Sequence, residues 1–111
     1  MKHALAPAAA LAAGLAAAFA APAAAASLTS EAFLEWTPDR QAIYIRASML
    51  MAEGIAGANS ETQRTCLVKW YFANPKAGNA EIRAAMKAHG RMHPTVAIVD
   101  VARKRCGAFR Y

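Results

Sequence analysis

The spacing of apolar and polar residues predicts a succession of short helices. The segment from Leu28 to Trp36 offers Thr29 or Ser30 as an N-cap and then places its apolar residues on one side. This pattern predicts a short helix that covers the core. Thr37 and Pro38 follow as the cap and the first position of a second helix, where the missing N–H of proline costs nothing.

The second helix is predicted to run to about Gly57 and to lie at the centre of the fold. Its charged residues Arg46 and Glu53 leave only a narrow face for water. The stripe expected to pack into the core is Ile43, Ala47, Leu50 and Gly54, with Tyr44, Met51 and Ile55 beside it. Ile45 and Met49 are predicted to widen this stripe.

The segment from Ser60 to Asn74 predicts a third, buried helix. Ser60 and Gln63 have the capping-box spacing, in which each side chain satisfies a backbone donor of the other. Only Lys69 interrupts the apolar run that follows, so nearly every side of this helix should be covered. Core packing is favoured for the aromatic residues, and a ligand groove is the alternative; these residues are Trp36, Trp70, Tyr71 and Phe72.

Breakers between Asn74 and Asn79 predict a loop, with Asn79 capping the next helix. That helix has the cleanest amphipathic pattern in the chain, and it should end before Gly90 and Pro94. Its apolar stripe is predicted to be Ile82, Ala85, Met86 and His89.

The last segment is ambiguous, because the β-branched residues between Thr95 and Val101 would also suit a strand. A helix is favoured because Pro94 fits a first helical position and basic residues precede Gly107. As a helix it would pack through Val96, Val99 and Cys106. The fold class predicted overall is all-α, a small bundle of four to five helices.

Residues 1–26 have the features of a secretory signal peptide. Lys2 provides the positive start, an Ala- and Leu-rich run follows, and Ala24-Ala25-Ala26 forms a cleavage site before Ser27. A membrane anchor is the alternative, but prolines and a glycine interrupt this weakly hydrophobic run. The mature protein is therefore expected to be a single helical domain, residues 27–111, in the periplasm and without a stable membrane anchor.

The two cysteines of the chain, Cys66 and Cys106, both lie in the predicted exported part. An oxidising compartment favours a disulfide between them, and closing this loop should stabilise a small domain by about 4 kcal/mol. A metal or redox pair is the alternative, although the chain has no C-x-x-C and no second pair of ligands at zinc-like spacing.

Charge is distributed unevenly, with acids towards the beginning of residues 27–111 and bases towards the end. This asymmetry suggests an anionic partner, self-association as a homodimer, or only solubility. The candidate partner surface is basic and consists of Arg103, Lys104, Arg105 and Arg110. Helix-end stabilisation and solvation are the simpler explanation of this cluster, and nucleic acid is not expected as a partner outside the cytoplasm.

His89 and His93 are four residues apart, a spacing at which two imidazoles on one helix can bind a metal. Gly90 and Pro94 argue against one helix through both, so no metal site is predicted, and the two histidines are candidate pH sensors instead. We find no motif of a nucleophile, a phosphate loop or a carboxylate pair, and we predict neither enzymatic activity nor a cofactor.

The succession of these features resembles a superfamily of small periplasmic helical proteins. It includes HdeA-type acid-stress chaperones and the immunity proteins that neutralise type VI secretion amidases. The features that carry the resemblance are the signal, the long helix with YIRASMLMAEGIAG, the cysteine helix before Asn74-Pro75, and a final helix that ends in Cys106-Gly107. Cys66, Cys106 and the small residues from Ala52 to Gly57 match structural features of this group.

The resemblance implies two functions. In the first, the protein takes part in the stress response as an acid-responsive chaperone-like protein, whose clients are unfolded envelope proteins. In the second, the domain stays rigid and binds one protein partner, such as a periplasmic toxin. The cysteine helix differs from the chaperone pattern, in which the first cysteine usually lies near the mature N-terminus.

Overall fold

The computed structural model describes residues 27–110, and within this range the regular structure is entirely helical. The predicted signal peptide lies outside the described residues. Among residues 27–110, no helix has the length and hydrophobicity that spanning a membrane requires. The helices are α1 (Ser30–Phe33), α2 (Pro38–Asn59), α3 (Glu61–Leu67), α4 (Pro75–Ala88) and α5 (Pro94–Cys106), and a π-helical segment, Val68–Phe72, continues α3. The all-α prediction is confirmed, and the last segment is a helix.

Most helix starts lie where local sequence signals predict them. Thr29 caps α1, accepting a hydrogen bond from the Ala32 amide, and Thr37 caps α2 with Pro38 in its first turn. Ser60 caps α3 by accepting from the Gln63 amide at 3.3 Å. These caps satisfy backbone donors that a helix start leaves without partners, so they form wherever the local sequence supplies them.

Two predicted details of the caps are wrong. The Gln63 side chain does not return to Ser60 but donates to the Gly107 carbonyl at 2.8 Å, because α5 ends beside it. Asn79 does not cap α4, which begins one turn earlier at Pro75 with Asn74 as its cap. Asn79 lies inside α4, where its buried carbonyl accepts the Tyr71 hydroxyl at 2.7 Å.

The central helix α2 buries Ile45 and Met49, which were predicted only to widen the packing stripe, and leaves the centre of that stripe exposed. Its buried apolar residues are Ile45, Met49, Ala52 and Ala56, spaced to lie on one side of the helix. The four central residues of the predicted stripe face the other way, since Ile43 is 70% and Leu50 is 49% exposed. Two opposite faces of α2 are apolar. The face that contains Gln41 packs into the core, and the face that contains Gly54 is exposed.

The predicted packing stripe of α5 is also displaced. Val96 and Val99 are roughly half exposed, while the buried positions are Ala97, Ile98, Val101 and Ala102. Cys106 is nevertheless partly buried and bonded to Cys66, so the disulfide prediction is confirmed. The bond joins the last turn of α3 to the end of α5. In α4, Ile82 and Met86 are fully buried as predicted, Ala85 is partly buried and His89 is exposed.

The aromatic segment is less enclosed than predicted. Tyr71 is fully buried, Trp70 and Phe72 are partly buried against the core, and Val68 is 37% exposed. Gly78 of α4 lies so close to the Tyr71 ring that a β-carbon there would be 2.6 Å from its Cδ1. For Tyr71, the prediction of core packing with a hydrogen-bond partner for its hydroxyl is therefore confirmed.

A buried glutamine fixes the start of α2. The Gln41 side-chain amide donates to the carbonyls of Leu34 at 3.0 Å and Trp36 at 2.8 Å. Its carbonyl accepts from Arg83 Nε at 2.9 Å, which links this junction to α4. The first two hydrogen bonds fix the loop between α1 and α2, and the third fixes this loop relative to α4. A buried polar group whose hydrogen bonds are satisfied in this way favours one arrangement of the chain.

Candidate binding groove

An apolar groove of about 360 Å³ runs between α2 and α5, and we call it the α2/α5 groove. Three small residues, the alanines at positions 47, 52 and 102, contribute to its lining. Larger apolar side chains complete the lining and are Met51, Ile55, Ile98, Val99 and Phe109. Met51 is 70% and Val99 is 45% exposed, so the groove is open to solvent.

The chain that follows α5 contributes one residue, Phe109, to the lining of the groove. Gly107 has a φ of +90°, a left-handed conformation that turns the chain away from the helix axis. Gln63 holds the Gly107 carbonyl, and Phe109 then lies against the core and lines the groove. Phe109 is therefore part of the groove wall.

The polar groups of the groove are mostly satisfied inside the protein. The Ser48 hydroxyl donates to the Tyr44 carbonyl one turn earlier, at 3.0 Å. The Thr95 hydroxyl is hydrogen-bonded to the His93 ring. What the groove offers a ligand is therefore apolar contact with little directional hydrogen bonding, which limits discrimination among ligands.

Three of the four predicted partner-surface residues are paired within the chain. Arg103 and Lys104 both contact Asp100 at 3.0 Å, and Arg105 forms a bidentate ion pair with Glu81 of α4. Lys104 and then Arg103 lower the pKa of Asp100 below its usual value. Arg110 is exposed, after Phe109.

The Arg105 and Glu81 pair links α5 to α4 next to the disulfide. Its hydrogen bond lowers the pKa of Glu81 and raises the pKa of Arg105. Arg64 of α3 binds Glu53 of α2 at 2.8 Å and Glu61 of its own helix at 3.1 Å. The pairs of Arg105 with Glu81 and of Arg64 with Glu53 join neighbouring helices, and both depend on ionised carboxylates.

The two candidate pH-sensing histidines lie at helix ends on either side of the α4–α5 loop. His89 follows the last residue of α4, and His93 caps α5 by accepting from the Thr95 amide at 3.2 Å. Both are exposed, and no helix runs through both. Within residues 27–110, no group of three or more potential metal ligands lies together.

Sequence reasoning missed the α2/α5 groove because it assigned the groove's α2 residues to the core. Tyr44, Met51 and Ile55 were expected beside the packing stripe, whereas in the structure they line the groove. One feature of the sequence could have indicated the groove. The long helix α2 has apolar residues on two opposite sides, and the chain has too few other helices to cover both sides.

Comparisons with protein-family models, with curated proteins and with solved structures found no significant match for this chain. The resemblance to the small periplasmic helical proteins therefore stays a prediction.

Proposed function

We propose that this protein is a non-enzymatic, chaperone-like protein of the periplasm that binds apolar segments of unfolded polypeptides in the α2/α5 groove, most strongly in acid. The observation that carries the proposal is the chemistry of the groove. Its lining is apolar, it is open to solvent, and the hydroxyls of Ser48 and Thr95 are used internally. Such a surface suits clients of varied sequence, and a flexible thioether such as Met51 adapts to them.

Charge supports the acid response. The pKa values of Glu81 and Asp100 are lowered by their basic partners, so these groups stabilise the fold fully above their ordinary pKa values. That stabilisation is lost as the pH falls through the lowered values. Once all seven Asp and Glu side chains are protonated, the side chains of residues 27–111 carry +14, from twelve Lys and Arg together with two protonated His. Self-repulsion loosens the helices and widens the groove, while the disulfide keeps α3 and α5 connected.

The test is a client-aggregation assay combined with near-UV circular dichroism, from pH 7 to about pH 2. We expect the wild type to suppress aggregation of an acid-unfolded client below about pH 4, where carboxylates become neutral. Val99→Lys places a charge in the groove and should remove the protection. The matched control is Val68→Lys, since Val68 is also exposed but does not line the groove.

Two results would contradict the proposal. One is a wild type that retains its tertiary signal and gives no protection at about pH 2. The other is equal protection by the wild type and Val99→Lys. Because lysine stays charged throughout this pH range, the second result cannot arise from neutralisation of the introduced group.

A second candidate function is rigid binding of one protein partner, as in an immunity protein. The observation in its favour is the exposed basic end of α5, where a single carboxylate, Asp100, serves both Arg103 and Lys104. Co-purification from a periplasmic extract at neutral pH should then recover one partner, and charge reversal of Arg103, Lys104 and Arg110 should abolish its recovery. Recovery of many clients only in acid, unaffected by these reversals, favours the chaperone-like function.

A further inference from the structure

The solvent-facing side of α2 carries an apolar stripe that shares only Ala47 with the lining of the α2/α5 groove. The stripe consists of Ile43, Ala47, Leu50 and Gly54, and we call it the outer stripe. At 100° per residue these four positions lie within an arc of about 60°, nearly opposite the buried face. Ile43 is 70% and Leu50 is 49% exposed, and a β-carbon at Gly54 would have no atom within 4 Å.

Side-chain size alternates along the outer stripe. Large Ile43 and Leu50 alternate with small Ala47 and Gly54, so the order from one end is large, small, large, small. Read in the reverse direction, the order is small, large, small, large. Two antiparallel copies of the stripe therefore place each large residue opposite a small one, which allows the helices to approach closely.

The geometry points to a second copy of this chain as the occupant of the outer stripe. We propose a homodimer in which the two α2 helices pack antiparallel about a two-fold axis that passes between positions 48 and 49. In this register Ile43 faces Gly54 of the second copy, and Ala47 faces Leu50 of the second copy. A two-fold arrangement repeats both contacts, as expected for a self-complementary surface.

Charge complementarity favours the same register. Arg46 and Glu53 lie on one flank of the outer stripe, about 20° apart around the helix. In an antiparallel two-fold pair, like flanks face each other, and the axial offset between Arg46 and Glu53 of the second copy is about 3 Å. Each dimer would thus contain two additional ion pairs, although Glu53 also contacts Arg64.

The dimer goes beyond the proposed client binding and adds a geometric consequence. Met51 and Tyr44 lie on the flank opposite Arg46 and Glu53, and they line the α2/α5 groove. The two grooves of a dimer would consequently lie on the same side of the pair of α2 helices, and the ion pairs would lie on the opposite side. Ile43, Leu50 and Gly54 do not line the groove, so self-association and client binding can be tested with separate variants.

The first test is the molar mass of the protein, expressed from the full chain and measured by light scattering at pH 7. We expect the wild type at twice the monomer mass and Leu50→Glu at the monomer mass, with unchanged helical circular dichroism. The control Val68→Glu should stay dimeric, because Val68 is exposed outside α2. A wild type that remains monomeric at millimolar concentration, or a Leu50→Glu variant that remains dimeric, would overturn the proposal.

The second test determines the register by cross-linking. In residues 27–110 both native cysteines are in the disulfide, so an introduced cysteine supplies the free thiol. Under mild oxidation, a mixture of Ile43→Cys and Gly54→Cys copies should form a covalent heterodimer, and each variant alone should not. Cross-linking within either variant alone, without the heterodimer, would contradict the antiparallel register.

Discussion

Removing the disulfide is the strongest perturbation that the structure offers. Cys66 and Cys106 are separated by 40 residues, and their bond joins α3 to α5. Closing a loop of this length removes conformational entropy from the unfolded chain, and its contribution to stability is about 4 kcal/mol. A domain of this size has a free energy of unfolding of only about 5–15 kcal/mol, so the double variant Cys66→Ala/Cys106→Ala should lose a large share of it.

The assay is thermal and urea unfolding followed by circular dichroism at pH 7. A loss of about 4 kcal/mol corresponds to a fall in Tm of roughly 15–30 °C for a domain of this length. The dependence of the unfolding free energy on urea should also increase, because the unfolded chain without the cross-link exposes more surface. Wild type treated with a reductant is the control and should behave like the variant. A variant that melts within a few degrees of the oxidised wild type would refute the reasoning.

Three further predictions concern packing and charge. Gly78→Ala places a methyl group against the Tyr71 ring and should lower the Tm. In the monomeric Leu50→Glu background, Gly54→Ala should raise the Tm, because its new β-carbon meets no neighbour within the chain and alanine favours helices by about 1 kcal/mol. Tyr71→Phe removes a buried hydrogen bond and should cost about 1–3 kcal/mol in urea unfolding; an unchanged midpoint would show that the hydroxyl is not paired. Glu81→Gln removes the carboxylate that binds Arg105, so the variant should be less stable than the wild type at pH 7, and the difference should vanish in acid, below the lowered pKa of Glu81. A Tm difference that stays constant with pH would contradict this assignment.

The features that could be predicted from the sequence are those set by a few neighbouring residues. Thr37 with Pro38, and Ser60 before Glu61, define helix starts because a cap needs only a side-chain oxygen and a backbone amide three positions away. The α4 start was missed although Asn74 before Pro75 has the same signal. Gly78 and Asn79 suggested a loop, but both are required inside α4, where they accommodate the ring and the hydroxyl of Tyr71.

The buried faces of α2 and α5 could not be predicted from periodicity, because each helix offers two apolar alternatives. On α2, Ile43 and Leu50 are as apolar as Ile45 and Met49, and only the positions of the other helices decide which pair is buried. Gln41 shows the same limit, since its burial depends on Arg83 of α4, 42 residues away. The candidate groove consists of the apolar residues that this choice leaves exposed, so it follows from tertiary packing and not from any local motif.

The most direct test of the proposed function is to locate the client on the protein. A photoreactive phenylalanine analogue, introduced in place of Met51 in the groove or Val68 outside it, can be activated in the presence of an acid-unfolded client at about pH 2. The account predicts covalent adducts with the client from position 51 and none from position 68. Equal labelling from both positions, or labelling only from position 68, would contradict it.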